Sequence, residues 1–252
     1  MLIKENVWIT PYKLERTLHI CLPDDYHESD RRYPVMYMYD GHNLFLDEDA
    51  TYGKSWGLAE YIKDFPRQMI IVGLECNHEG SKRLEEFCPY PFRDFDGTRV
   101  EGTGQILMEW MSTELKAYID SHFRTLPDRA NTGIGGSSMG GLMAVYSVVR
   151  HNDVYSRAAC LSSAFTFCWP AMKKLVTETP ALDPDTRIYL SWGSKESGRK
   201  PGLVRYTNAN LTLAHLLTMR GALTYPYLQV YGGHCEADWE KQNPVYMPFL
   251  WE

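Results

Sequence analysis

The sequence lacks the pairings that would tie cysteines into a scaffold or a metal knuckle. Its six cysteines, Cys21, Cys76, Cys88, Cys160, Cys168 and Cys235, include no Cys-x-x-Cys pair and no zinc-type spacing. Reduced thiols are the expectation. Long hydrophobic runs are missing too, so no stretch reaches the roughly 20 apolar residues of a membrane helix. The opening stretch MLIKENVWITPYKLERTL carries Lys4 and Glu5 and has no apolar run of signal-peptide length, which leads to the expectation of a cytoplasmic protein. Positive charge is scarce: the 26 Lys and Arg are outnumbered by 32 Asp and Glu, for a net charge of -6. Without a basic patch, neither a nucleic acid nor an anionic membrane is an expected partner. A small molecule is, and a homo-oligomer stays open. There is no His-Glu-x-x-His, and His19, His27, His78, His122, His151 and His215 lack convergent spacing, so neither metal nor cofactor is expected. Internal repeats and low-complexity tracts are also absent.

What is present is the composition of a packed core, 44% apolar and 13% aromatic against 23% charged residues. We expect one domain over residues 1–252. Strand-length apolar runs recur at 18–22, 35–40, 69–75, 158–162, 187–193 and 227–233. Helical patterns alternate with them. In 104–123, Leu107, Trp110, Met111, Leu115, Tyr118, Ile119 and Phe123 share one face. Others span Val204 to Arg220 and follow Gly141. Several of the strands are continuously apolar, which predicts an α/β fold: a mostly parallel central sheet with helices on both faces. The alternating stretch KLERTLHICLP is placed at an antiparallel N-terminal edge. The non-periodic stretch from Cys76 to Thr103 reads as an excursion over the functional face.

Two adjacent serines stand between glycine pairs in TGIGGSSMGGLMAVYS. Gly-x-Ser-x-Gly fits one register only, Gly136 to Gly140, so Ser138 is the candidate nucleophile and Ser137 the intervening residue. The motif needs a sharp strand-to-helix turn, with glycines leaving room for close backbone approach. Leu142, Val145, Tyr146 and Val149 supply the helix; TGIGG is a poor strand on propensity. The alternative role for Ser138 is a helix N-cap. An acid and then a histidine must follow beyond later strands. Glu196 follows RIYLSWG and His234 follows YLQVYGG directly. Each has a bland alternative, a solvated loop charge and a histidine satisfied at a helix start. Asp238 is a rival acid, four residues after His234 on the same helix. Trp56, Phe165, Trp169 and Trp192 are candidates for a pocket wall or for core packing. Arg83 and Glu85 are candidates for substrate contact or surface ion pairing.

The segments YMYDGHNLF, GIGGSSMGGLMAVY, YLSWGSKE and YGGHCEADW, with the weaker ELKAYIDSHFRTLPDRANTGIGG, cover nearly the whole chain. Together they resemble the putative esterase family of α/β-hydrolases, which includes S-formylglutathione hydrolases, enterochelin and feruloyl esterases and mycobacterial mycolyltransferases. The resemblance implies an α/β-hydrolase fold and a serine esterase with Ser138 as nucleophile, Glu196 as acid and His234 as base. It further implies an oxyanion hole formed by the backbone N–H groups of Met139 and His42. The implied chemistry is ester hydrolysis through an acyl-enzyme; acyl transfer to a sugar or other alcohol, or a binding module on the same fold, are the alternatives. A histidine base implies activity rising through roughly pH 6 to 8.

Overall fold

The computed structural model describes residues 1–94 and 96–252. In chain order its strands are β1 (Leu2–Ile9), β2 (Leu14–Cys21), β3 (Val35–Tyr39), β4 (Ile70–Leu74), β5 (Phe92–Arg93), β6 (Arg99–Val100), β7 (Thr132–Ser137), β8 (Arg157–Leu161), β9 (Arg187–Gly193) and β10 (Leu223–Gln229). Eight of them form one sheet in the order β1-β2-β4-β3-β7-β8-β9-β10, while β5 and β6 pair separately. Strands from β4 across to β10 run parallel; β1 and β2 are antiparallel to their neighbours. The chain thus has the mixed, mostly parallel sheet that the apolar runs predict.

Two details differ from expectation. KLERTLHICLP is antiparallel, but it is not the edge: β1 lies outside it, in register from Leu2↔Cys21 to Ile9↔Leu14. Only Val7 and Ile9 of β1 are buried, and its charged residues hide the strand signal. At the other edge the last strand covers Leu223–Gln229 rather than 227–233. This strand tolerates Pro226 because its outer side pairs with nothing among the described residues, so no ladder donor is lost there. Residues 230–233 are thereby freed to form the loop before His234.

Strand β3 shows why the interior reads as continuous apolar sequence. Val35, Tyr37 and Tyr39 enter one core cluster and Met36 and Met38 the other, so both faces are buried. The weak-looking β7 lies beside β3, fully buried. Its glycines are demanded by neighbours: a Cβ at Gly135 would come 2.7 Å from Met38 Sδ, and one at Gly133 would come 2.8 Å from Met36 Sδ and 2.9 Å from Trp251. Here large side chains on adjacent elements replace the apolar residues a central strand usually carries.

The helices are α1 (Leu58–Asp64), α2 (Lys82–Glu86), α3 (Gly104–Trp110), α4 (Lys116–His122), α5 (Met139–Arg150), α6 (Trp169–Glu178), α7 (Lys200–Met219), α8 (Glu236–Glu240) and α9 (Asn243–Trp251). Buried residues of α3 to α7 join the cluster on one sheet face and those of α1, α8 and α9 the other. A π turn, Met111–Leu115, joins α3 to α4 and realises the predicted 104–123 helix with its apolar face inward. Every residue of α5 except Arg150 is buried, which is why that stretch shows no polar stripe.

The Cys76 to Thr103 excursion contains α2 and the β5–β6 ribbon; Phe95 within it lies outside the described residues. It is anchored by a buried two-pronged ion pair from β2, Arg16 to Glu86, with both contacts at 2.9 Å. None of the described helices is long and apolar enough to cross a membrane.

Candidate active site

The chain runs from β3 to β4 on one side and returns to β7 on the other, so the sheet order reverses at β3 and β7. In open α/β sheets the crevice at such a switch point, outside the carboxyl ends of the strands, is where ligands bind. The turn Asp40 to Asn43 follows β3 there, and Ser138 follows β7. Ser162 comes just after β8, Glu196 after β9 and His234 after β10, so one edge of the sheet collects them all.

Ser138 occupies φ 56°, ψ -117°, a conformation an L-residue adopts only under constraint. The constraint is visible on both sides. Its N–H donates to Leu161 O at 2.9 Å, and its carbonyl accepts from Leu142 N at 3.0 Å and Ala164 N at 2.9 Å. Close approach explains the glycines: a Cβ at Gly136 would lie 2.8 Å from the backbone of Gly140, and one at Gly141 would lie 2.9 Å from Leu161 O. The Ser138 side chain makes no capping hydrogen bond to α5, so the N-cap alternative is not realised. Met139 opens α5, and the adjacent Ser137 closes β7 with its side chain buried.

Glu196 and His234 do meet. His234 Nδ1 lies 3.2 Å from Glu196 Oε2, while Oε1 accepts the Ser162 hydroxyl at 2.7 Å and the Gly193 N–H at 2.5 Å. Only 7% of the Glu196 side chain is exposed, while His234 retains 41%. The two loops that carry them are stitched by Ser194 N to Gln229 O and Lys195 N to Gly232 O. Trp239 packs edge to face on the His234 ring, 5.2 Å between centroids, and donates its indole N–H to Ser162 Oγ at 2.8 Å. Glu196 is thus a held carboxylate rather than a solvated loop charge. Asp238 is committed elsewhere: Oδ2 accepts the Gly233 N–H at 2.7 Å and Oδ1 the Lys241 ammonium at 2.8 Å.

Sequence reasoning does not single out Ser162, although a serine closing the predicted strand 158–162 is a usable sign. It also has a positive φ of 47°. Its hydroxyl donates to Glu196 and accepts from Trp239.

Ser138 and His234 line two cavities. One, of about 440 Å³, is polar and reaches Asp40, His42, Arg83 and Glu236. The other, of about 300 Å³, includes Phe167, Ala164 and Tyr206. Arg83 is therefore at the site, gripping buried Asp40 through two 2.7 Å hydrogen bonds. Burial pushes the Asp40 carboxyl up, and the Arg83 guanidinium more than offsets this, holding it below its ordinary value. Burial lowers the His42 imidazole, and it raises the Glu236 carboxyl with the Asp40 charge adding to the effect. Glu85 lines neither cavity. Trp56, Phe165, Trp169 and Trp192 line neither as well; the first two and Trp192 are core residues, and Trp169 packs at the margin of the core. Trp239 and Phe167 supply aromatic wall instead.

Spacing along the chain gave no reason to group His42 with His78, yet the fold does so. His42, Cys76 and His78 place ligand atoms within 4.8 Å of one another in the larger cavity. They come from the loops after β3 and β4, neighbours in space but distant in sequence.

Comparison with known proteins gives the family and the fold. The family described as "Putative esterase" matches residues 11–248. "Uncharacterized protein YbbA" of Bacillus subtilis is 20% identical over 194 residues, covering 76% of this chain and 73% of that protein. An IroE-like serine hydrolase from Shewanella oneidensis superposes with a TM-score of 0.79 at 18% identity, over 99% of this chain and 80% of its own. The enterochelin esterase of Shigella flexneri gives 0.73 at 16% identity, over 100% of this chain and 58% of its own.

Proposed function

The chain belongs to the putative esterase family and is a carboxylic ester hydrolase, and from that premise we propose that it works through a Ser138–His234–Glu196 triad on a small-molecule ester. The observation that supports this most is the Glu196–His234 contact, with Ser138 at a strained turn on the wall of the same two cavities.

His234 donates a hydrogen bond from its Nδ1–H to the Glu196 carboxylate, which leaves Nε2 as the base. Ser138 Oγ attacks the ester carbonyl as Nε2 takes its proton, forming a tetrahedral oxyanion. Collapse breaks the bond to the alcohol oxygen, and the imidazolium returns the proton to that oxygen. Water then repeats the sequence on the acyl-enzyme, releasing the acid and restoring Ser138. The oxyanion is assigned to the N–H groups of Met139 and His42, where one lost donor typically adds about 3 to 4 kcal/mol to the barrier. Met139 N–H stands at the start of α5, so the helix field adds to its donation. The two cavities suit the two halves of an ester, the larger and more polar one taking the polar half.

The test combines a fluorophosphonate probe with turnover of p-nitrophenyl acetate. Wild type should label at Ser138 and hydrolyse the ester, and Ser138→Ala should do neither while remaining folded. Full turnover by that variant sinks the assignment. A panel of short acyl, feruloyl, acetyl-sugar and siderophore esters, ranked by kcat/KM, would then define the substrate.

A further inference from the structure

The larger cavity holds a second group of ligand-type side chains that the triad does not use. His42 stands in the turn after β3, and Cys76 and His78 follow β4; their ligand atoms lie within 4.8 Å of one another. Cys76 Sγ is 3.9 Å from His78 Nδ1, and the two imidazole rings meet edge to face at 4.8 Å between centroids. His42 is 5% exposed. Its Nε2 is bonded to Thr51 Oγ1 at 3.0 Å, while its Nδ1 is buried and without a partner among the described residues. A buried polar atom left unpaired is costly, and here the unpaired atom belongs to an imidazole beside a thiol and a second imidazole.

We infer that His42, Cys76 and His78 form a zinc-class cation site in the catalytic cavity, with a fourth coordination position open to that cavity. Two imidazoles and one thiolate are a borderline-soft donor set, suited to Zn²⁺ and not to the oxygen-seeking Ca²⁺ or Mg²⁺. Three protein ligands with one open position is the arrangement of accessible zinc sites. Outer partners are in place. Thr51 fixes the His42 ring, and Glu75 lies 3.6 Å from His78 Nε2 while its other oxygen takes His19 Nε2 at 2.7 Å. Asp40 borders the group as well, paired with Arg83 and hydrogen-bonded to the Cys76 thiol, a contact that a cation on sulfur would replace.

Zinc bonds of about 2.0 to 2.3 Å require the ligand atoms to draw in by roughly 1 Å. His78, with 58% of its side chain exposed, has the freedom to make that movement. Binding forms the Zn–S bond and releases the Cys76 thiol proton to solvent, with no change of oxidation state. Because Ser138 and His234 line the same cavity, a cation held there obstructs the ester. This inhibitory half rests on the esterase reading above.

Cobalt(II) added to the metal-free full-length chain provides the test. We expect one equivalent to produce a thiolate-to-cobalt charge-transfer band in the near ultraviolet that zinc abolishes by displacement. The band should vanish in Cys76→Ser and persist in Cys235→Ser, and His78→Ala should weaken cobalt and zinc binding by at least about tenfold. Absence of the band, or its loss in Cys235→Ser alone, overturns the site. If Cys76→Ser does not fold, His78→Ala decides, because unchanged affinity in that surface variant also overturns it. Zinc should slow ester turnover with the same midpoint as its binding. Turnover indifferent to saturating zinc overturns the inhibition while the band judges the site. No turnover even without metal refutes the esterase reading and leaves the site to the spectrum.

Discussion

Glu196 reaches His234 with one carboxylate oxygen while the rest of the fold holds the other: Oε2 is 3.2 Å from His234 Nδ1, and Oε1 is bonded to Ser162 and the Gly193 N–H. A carboxylate pinned this way fixes the imidazole instead of following it. Glu196→Gln keeps the shape and removes the charge, so kcat toward a p-nitrophenyl ester should fall by about 10³ to 10⁴-fold with KM near wild type. Asp238→Asn should stay within about tenfold, because Asp238 serves Gly233 and Lys241. Steady-state kinetics on both variants check this. Equal losses would move the acid's role to Asp238.

The backbone of Ser138 allows stability and activity to be separated. Its φ of 56° and ψ of -117° disfavour any residue with a Cβ, and strain of this kind costs of order 1 to 3 kcal/mol. Ser138→Gly relieves the strain, whereas Ser138→Ala retains it. Both should be inactive, but the glycine variant should be more stable than the alanine variant by about 1 kcal/mol. Urea unfolding of the pair measures the difference. An alanine variant equal to or more stable than the glycine one would show that the turn is not strained.

Ser162 is the hinge between Trp239 and Glu196. In Ser162→Ala the Trp239 indole N–H loses its acceptor and Glu196 Oε1 keeps only the Gly193 N–H. Leaving a buried donor unpaired should lower stability by about 1 to 3 kcal/mol. Looser aim of Glu196 should also lower kcat, with a smaller effect than Glu196→Gln. Chemical denaturation and kinetics on one preparation test both statements; an unaltered denaturation midpoint would refute the first.

The features legible from sequence were those whose local chemistry states its own purpose. The unbroken apolar runs of β3 and β4 declared a sheet buried on both faces, and the positions of Glu196 and His234 directly after such runs anticipated their meeting. Strand β7 was obscure because its packing is supplied by Met36, Met38 and Trp251, all far away in sequence. Strand β1 was obscure because an edge needs little burial. Ser162 and the His42–Cys76–His78 group were hidden for a third reason. Each depends on loops that become neighbours only when the strands are ordered in the sheet, and no fixed spacing encodes that order.

Glu236, two residues beyond His234, gives the fold a pH-dependent stability. Burial raises its carboxyl above the ordinary value, and the nearby Asp40 charge pushes the same way. A carboxyl raised on folding contributes stability that is complete below its unfolded value, about 4.3, and is lost as pH rises through the folded value. At neutral pH the ionised Glu236 therefore burdens the fold. Glu236→Gln has no charge to desolvate, so its stability relative to wild type should grow from pH 4 to pH 8. Urea unfolding of both proteins across that range checks the sign. A difference that stays flat, or that shrinks with rising pH, would mean that solvent reaches Glu236 and that the cavity is wetter than its 5% exposure indicates.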